Sequence, residues 1–268
     1  MKPVFEKYSK QLYKRVADLP GFWMTILGMV GNRPIWLLRS RDDWNHKDPR
    51  ILIASGFHGE EQAGPWAILK WLENDCNDLL EKVDISFLPV VNPTGFNIGR
   101  RYNTWGEKDN CGFCHKETTG DVLSKEGDIL MSHKELLVEI ASDGFLSLHE
   151  DCDVHDQYYM YSFEKTQEPG QFSCKMLETL ADHFSRPVNG VSVTQDAKMN
   201  TPPFVVNGLV YKYCDGSFED FLFHEGVPIV VVTETPTNRC RLSKRVDANV
   251  DVIERFAELT IDRSKKRI

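Results

Sequence analysis

Apolar positions along the chain switch between two periods, and the switches outline its elements. Phe5, Tyr8, Leu12 and Val16 recur at three- and four-residue steps, which predicts a surface helix over about residues 3–18. Trp23–Met29 and Pro34–Leu38 flank Gly31-Asn32 and predict two strands around a turn. Ile51–Ala54 predicts a short buried strand ending at Ser55-Gly56-Phe57-His58. A helix should follow, with Ala63, Trp66, Ala67, Leu69 and Leu72 on its apolar side, running toward Leu79 and Leu80. Ile85–Val91 predicts another buried strand, stopped by Asn92-Pro93-Thr94-Gly95. Residues 97–128 show no apolar period and read as a long functional or disordered loop.

Further on, helices are expected at Lys134–Ser142, Phe172–Phe184 and Ser217–Glu225, the last stopped by Gly226. Strands are expected at Phe145–Leu148, Tyr158–Phe163 and Pro228–Thr233. A last helix over about 246–263 carries Val246, Val250, Ile253, Ala257 and Thr260 at helical steps. Short all-apolar strands alternating with helices predict an α/β/α sandwich around a mixed, mostly parallel sheet, built as one domain over 1–268.

Composition narrows the function classes. With 32 basic against 40 acidic residues the net charge is −8, which speaks against a nucleic-acid scaffold. No apolar run approaches a membrane-spanning length. The apolar stretch Leu19–Gly31 is broken by Pro20, Gly21 and Gly28 and lacks a small-residue cleavage pattern, so it does not read as an export leader. Seven cysteines at irregular spacing suggest reduced thiols, and a cytoplasmic protein is expected. Nothing in the sequence sets the oligomeric state.

The candidate chemistry collects where strands end, which in open α/β sheets is where ligands bind. His58-x-x-Glu61 places two metal-compatible donors across a strand-to-helix turn. A second histidine, His149, would complete a His₂Glu set that leaves a zinc coordination position open. Glu234 follows a strongly apolar strand, where partial burial would raise its proton affinity toward that of a general base. Each feature alone has a bland reading, as a helix-end charge or a surface ion pair. Their joint placement at strand ends weakens that reading.

The ordered set His58/Glu61, Asn92-Pro93-Thr94-Gly95, Gly99-x-Arg101-x-Asn103, His149 and Glu234 resembles the zinc carboxypeptidase family. That family includes carboxypeptidase A, murein-peptide amidases and, more distantly, the succinylglutamate desuccinylase and aspartoacylase group. The resemblance implies one catalytic zinc bound by His58, Glu61 and His149, with Glu234 as base and later acid and Arg101 on the oxyanion. Asp215–Glu219 resembles the segment lining the specificity pocket, with Phe218 at its floor. Tyr211 matches a mobile substrate-closing tyrosine, and Tyr213 is an equally near candidate. Asn110 and Cys111 stand where the family has an Asn-Arg pair that clamps a terminal carboxylate. A thiol lacks the charged fork of a guanidinium, so Arg100, Lys108, Arg239 or Arg241 must supply the charge, or the substrate has no free C-terminus to clamp.

The expected function is therefore zinc-dependent hydrolysis of an amide or peptide bond, with peptides or N-acyl amino acids as substrates. An N-acyl-amino-acid deacylase and a non-catalytic metal-binding module are the alternatives. Cys111-Gly112-Phe113-Cys114-His115 also fits a haem-attachment pattern, or a second zinc held by Cys111, Cys114, His115 and Cys152. Unmodified thiols are the simpler expectation for it.

Overall fold

A computed structural model describes residues 4–40, 48–74, 77–115, 119–165, 170–190, 204–211 and 213–266. Residue 3, where the first predicted helix was expected to begin, lies outside them. Helix α1 (Val4–Ala17) buries Phe5, Tyr8, Leu12 and Val16, as the spacing predicts. Strands β1 (Trp23–Val30) and β2 (Arg33–Arg39) form an antiparallel hairpin that turns through Gly31 at φ +58°. Next come β3 (Arg50–Ser55), α2 (Ala63–Glu73), α3 (Asn77–Leu80), β4 (Asp84–Leu88) and α4 (Pro93–Ile98). After a long irregular stretch follow α5 (Lys125–Ser132), α6 (Lys134–Ile140), β5 (Gly144–His155) and β6 (Gln157–Glu164). The chain continues through α7 (Gln171–Ala181), β7 (Arg186–Pro187), β8 (Leu209–Tyr211), α8 (Phe218–His224), β9 (Ile229–Asn238) and α9 (Leu242–Lys265).

The strands form one mixed sheet in the order β1-β2-β4-β3-β5-β9-β6-β7, with β8 also paired to β6. The four central strands, β4, β3, β5 and β9, run parallel. Neighbouring residues on them enter opposite cores. Ile51, Ile53, Leu146, Leu148 and Val231 join the core under α1, α2, α7 and α9. Leu52, Ala54, Phe145 and Val230 join the core under α6 and α8. Burial on both faces is why these strands read as unbroken apolar runs in the sequence. Fully burying each such side chain favours the fold by about 1.5–3 kcal/mol.

Four features depart from the sequence expectation. The Asn92–Gly95 stop is the start of helix α4: Asn92 is its N-cap, its side chain accepting from the Gly95 N–H at 2.7 Å, and Pro93 occupies the first turn. Helix α5 begins inside the expected loop and runs on through residues for which no element was predicted; Ser124 caps it, and Glu126 and Asp128 sit in its first turn. The helix after β3 stops at Glu73, and Leu79–Leu80 belong to the separate α3. Finally, β5 and β9 run past the residues taken as strand ends, because their pairing continues through His149↔Glu234 to Asp151↔Pro236.

Candidate active site

The chain passes from β3 to β4 on one side of β3, while β5 pairs on its other side. This change of direction opens a crevice at the carboxyl edge of the sheet. The turn after β3 occupies it. Gly56 takes φ +65°, and Gly59 lies so close to α4 that a Cβ there would stand 2.0 Å from the Gly95 carbonyl carbon. Gly95 is equally confined, since its Cβ would fall 2.4 Å from Asn92 Nδ2 and 2.8 Å from the Arg100 carbonyl oxygen. These contacts give the H-G-x-E and N-P-x-G glycines one physical purpose. They let the His58 turn, the α4 N-terminus and the Arg100–Arg101 strand of loop touch through backbone alone.

Glu61 is the hub of the site. Its Oε1 lies 2.6 Å from His58 Nδ1 and its Oε2 2.9 Å from His149 Nδ1. It is buried, and Oε2 has no hydrogen bond of adequate geometry. One donor atom from each of His58, Glu61 and His149 falls within a 4.8 Å cluster. Two imidazole nitrogens and a carboxylate with an unsatisfied buried oxygen fit a zinc ion. Burial alone would push the Glu61 carboxyl up, but His58 and His149 together hold it well below the usual carboxylate range. Burial lowers the His58 imidazole. His149 goes the other way: although burial opposes it, Glu61 and Glu219 raise it well above an ordinary histidine.

The outer nitrogen of His149 is also held. Its Nε2 lies 3.2 Å from Glu219 Oε1 at the start of α8, and Phe57 stacks on its ring at a centroid distance of 5.7 Å. A carboxylate behind a ligating imidazole fixes the tautomer and direction of the ring. Burial pushes the Glu219 carboxyl up, yet the hydrogen bond and charge of His149 bring it down to about 2. The next residue, Glu150, turns to the opposite face, where it accepts the Ala63 N–H of α2 at 2.8 Å and pairs with Arg245 of α9.

Arg101 and Glu234 flank this centre. Arg101 Nη1 lies 3.5 Å from Glu61 Oε1 and 3.6 Å from Glu60 Oε1, with its side chain 42% exposed. Its carbonyl accepts from Gly59 N–H and Asn92 Nδ2, so the loop is pinned beside the turn. Glu234 is the parallel partner of His149 and the antiparallel partner of Tyr159. Burial, followed in effect by the charges of Glu61 and Asp151, raises its carboxyl well above the usual range against the pull of His149 and Arg101. The buried Tyr159 hydroxyl donates to Asp151 at 2.8 Å, and its ring packs on Tyr161.

The remaining residues singled out in the sequence fall elsewhere or work differently. Phe218 is fully buried among Phe57, Phe113, Phe145 and Phe221, so it packs beneath the site instead of flooring an open pocket. Asn110 is engaged at both ends of its amide: Nδ2 donates to Glu219 at 2.8 Å and Oδ1 accepts the Phe218 N–H at 3.0 Å. It docks its loop onto α8. Cys111 is half-buried, its thiol 3.8 Å from the Lys108 carbonyl. Among the alternative cations, Lys108 lies 3.6 Å from Asp121, and Arg100, Arg239 and Arg241 are exposed. The Tyr211 hydroxyl donates to the Glu164 carbonyl, whereas Tyr213 packs on Tyr161, whose phenol feels the Glu234 charge. The second-metal set proposed from the motif is not assembled as expected. Cys114 and His115 meet Asp220 and His224, while Cys152 lies in a separate group with Asp151 and Asp153. Two positioning residues were missed, Glu219 and Glu150. The first had a signal in its place beside Phe218; the second depends on a partner 95 positions away.

The comparisons with known proteins agree with this geometry. A sequence model of the zinc carboxypeptidase family matches residues 25–120. Carboxypeptidase B of Helicoverpa zea is 49% identical over 53 residues, a segment covering 18% of this chain and only 12% of that protein. A solved structure described as a "putative metallopeptidase" from Shewanella denitrificans is 36% identical, with a TM-score of 0.82 over 94% of this chain and 89% of that one. Its counterpart from Shewanella baltica is also 36% identical, with a TM-score of 0.84 over 96% and 92%. A metallo-carboxypeptidase from Burkholderia cenocepacia shares the fold at 16% identity, with a TM-score of 0.69 over 97% of this chain and 69% of that one. Close likeness along nearly the whole length, joined to the His-Glu-His centre, places this chain in the zinc carboxypeptidase family of metallopeptidases.

Proposed function

We propose that the protein hydrolyses an amide or peptide bond with a single catalytic zinc held by His58, Glu61 and His149. The observation behind this reading is the convergence of three donor atoms within 4.8 Å beside a half-buried acid, Glu234, on the adjoining strand. Zinc bound there would act as a Lewis acid and bring the pKa of a water down to about 7. Glu234, kept protonatable by its burial, would take the proton of the attacking water on its carboxylate and pass it to the departing amine. Arg101, half-exposed at the mouth, would donate from its guanidinium to the carbonyl oxygen as negative charge develops. Tyr161 and Tyr213 would line the substrate side of Glu234. The odd number and irregular spacing of the cysteines support a reducing, cytoplasmic setting.

A second reading, hydrolysis of N-acyl amino acids, is favoured by one observation. Asn110 is committed to α8 and Cys111 has no cationic group, so the pair does not offer a clamp for a terminal carboxylate. Assays of the zinc-loaded protein against C-terminal peptides and N-acyl amino acids separate the two. Glu234→Gln should retain the zinc content of the wild type and lose about 10²–10⁴-fold in turnover. His149→Ala should lose the zinc along with activity, and an active His149→Ala protein would end both readings.

A further inference from the structure

A second donor cluster lies away from the His58 centre, where the long loop meets α8. Cys114, His115, Asp220 and His224 each place one ligand atom within 4.8 Å of the others. Asp220 and His224 stand one helical turn apart on α8, so their side chains share a face. Cys114 and His115 come from the loop, which is clamped there by the Phe113 N–H to Gly216 carbonyl hydrogen bond at 3.0 Å. His115 takes φ +55°, unusual for a residue with a Cβ, and its Nε2 reaches to 3.3 Å from Asp220 Oδ2.

The polar atoms of this cluster are poorly satisfied by the protein itself. Asp220 is fully buried, and while Oδ2 accepts the Gly216 N–H, Oδ1 has no hydrogen bond. His224 Nδ1 stands 3.0 Å from that Oδ1 but makes its hydrogen bond to the Asp220 main-chain oxygen. His115 Nε2 is likewise buried without a hydrogen bond. Leaving such groups unpaired in the interior is costly, and a cation among them would remove the cost. The side chains of His115 and His224 are 34% and 46% exposed, which leaves a path for an ion to enter.

We propose that Cys114, His115, Asp220 and His224 form a second, structural zinc site that fastens the substrate loop to helix α8. Sulfur, two imidazoles and a carboxylate make a four-donor set suited to a tetrahedral ion, with no position left for a catalytic water. In the bound form a thiolate and a carboxylate would balance the two positive charges. Cys114 would release its thiol proton to solvent on binding; burial and the nearby Asp220 otherwise favour its protonated form. The site joins two segments that also meet the first centre, because α8 begins with Phe218 and Glu219, and Glu219 holds both Asn110 and His149.

The test does not depend on the catalytic reading, because it is made on a protein lacking the first centre. Zinc-supplemented His58→Ala should retain about one zinc per chain, as a closed four-donor site would bind. Adding Cys114→Ser, or His224→Ala at the exposed helix end should the first variant misfold, should remove it. Cobalt-loaded His58→Ala should show a thiolate-to-cobalt charge-transfer band in the near ultraviolet that both added substitutions abolish. Zinc should slow alkylation of Cys114 by about 10-fold or more, read by peptide mass spectrometry, while leaving Cys111 unchanged. The proposal fails if His58→Ala binds no zinc, if the band survives Cys114→Ser, or if zinc leaves Cys114 alkylation unaltered. Loss of zinc from His58→Ala with hydrolysis in the wild type intact would overturn this site alone and leave the first one standing.

Discussion

The two donor clusters are built in opposite ways. At the first, His149 comes from a central strand and Glu61 from a turn wedged against α4, and both side chains are 3% exposed. Carboxylates and rings stand behind the donors: Glu219 behind His149, Phe57 stacked on its ring and Phe218 below. At the second, two donors hang on an irregular loop and two on a seven-residue helix, with both imidazoles reaching the surface. The first is backed by packed rings and stands beside an acid and an arginine. The second has Cys114 against the core under α6 and α8 and Asp220 buried, but its two imidazoles pack on each other at the surface. A three-donor centre beside an acid and an arginine suits chemistry, and a closed four-donor set joining a loop to a helix suits a fastening.

That contrast can be broken from the catalytic side. Of the two variants that test it, Arg101→Ala carries the larger expected effect: it removes a donor at the mouth and keeps all three zinc ligands, although it also takes away the charge 3.5 Å from Glu61. Turnover should fall by about 10²–10³-fold at unchanged zinc content. A parallel loss of zinc would show that Arg101 supports the Glu61 cluster and does not act on substrate. A smaller effect is expected at Glu219, which touches His149 and not the metal position. Glu219→Ala should weaken zinc binding at the first centre by about 10–100-fold in chelator competition, since His149 loses the acceptor that orients it. Glu219→Gln keeps an oxygen for His149 and should recover most of the affinity. If both variants bind zinc like the wild type, the backing credited to that centre is not what holds it.

Legibility in the sequence follows distance along the chain. His58 and Glu61 sit three residues apart on a turn forced by local glycines, so a short motif reveals them. The alternating burial of β3, β5 and β9 leaves unbroken apolar runs, which located His149 and Glu234 even though both lie within strands that continue beyond them. Helix α5 was hidden because Gly127 and flanking polar residues blur its period, although the Ser124 cap was available. The long-range pairs left no mark. Glu219 reaches His149 across 70 positions and Arg245 reaches Glu150 across 95, and neither residue type announces its partner. The second cluster shows the same limit. The Cys114-His115 step stood out, but its partners on α8 lie outside any local pattern.

Between the two clusters the loop has an anchor of its own, and this gives the mildest test of the comparison. Asp109 is buried, with Oδ2 accepting from Asn92 Nδ2 at 2.5 Å, and Asn103 Nδ2 donates to the buried Glu126 at 2.8 Å. Burial, then the adjacent Glu126, pushes the Asp109 carboxyl up to about 9. The folded state thus holds a proton that the unfolded chain gives up at the ordinary value of 3.8. Below that value both states are protonated and the group leaves stability unchanged. From there up to about 9 the unfolded chain ionises first, so stability should fall as pH rises, with a limiting slope of about 1.4 kcal/mol per pH unit. Asp109→Asn keeps an acceptor for Asn92 and cannot ionise. Denaturant titrations between pH 5 and 9 should therefore give a flatter profile for the variant than for the wild type. Zinc content should be unaffected at either pH, because the anchor lies on neither donor set. If Asp109→Asn instead strips zinc from the Cys114 cluster, the loop is held as one unit and the division into a packed centre and a separate fastening is wrong.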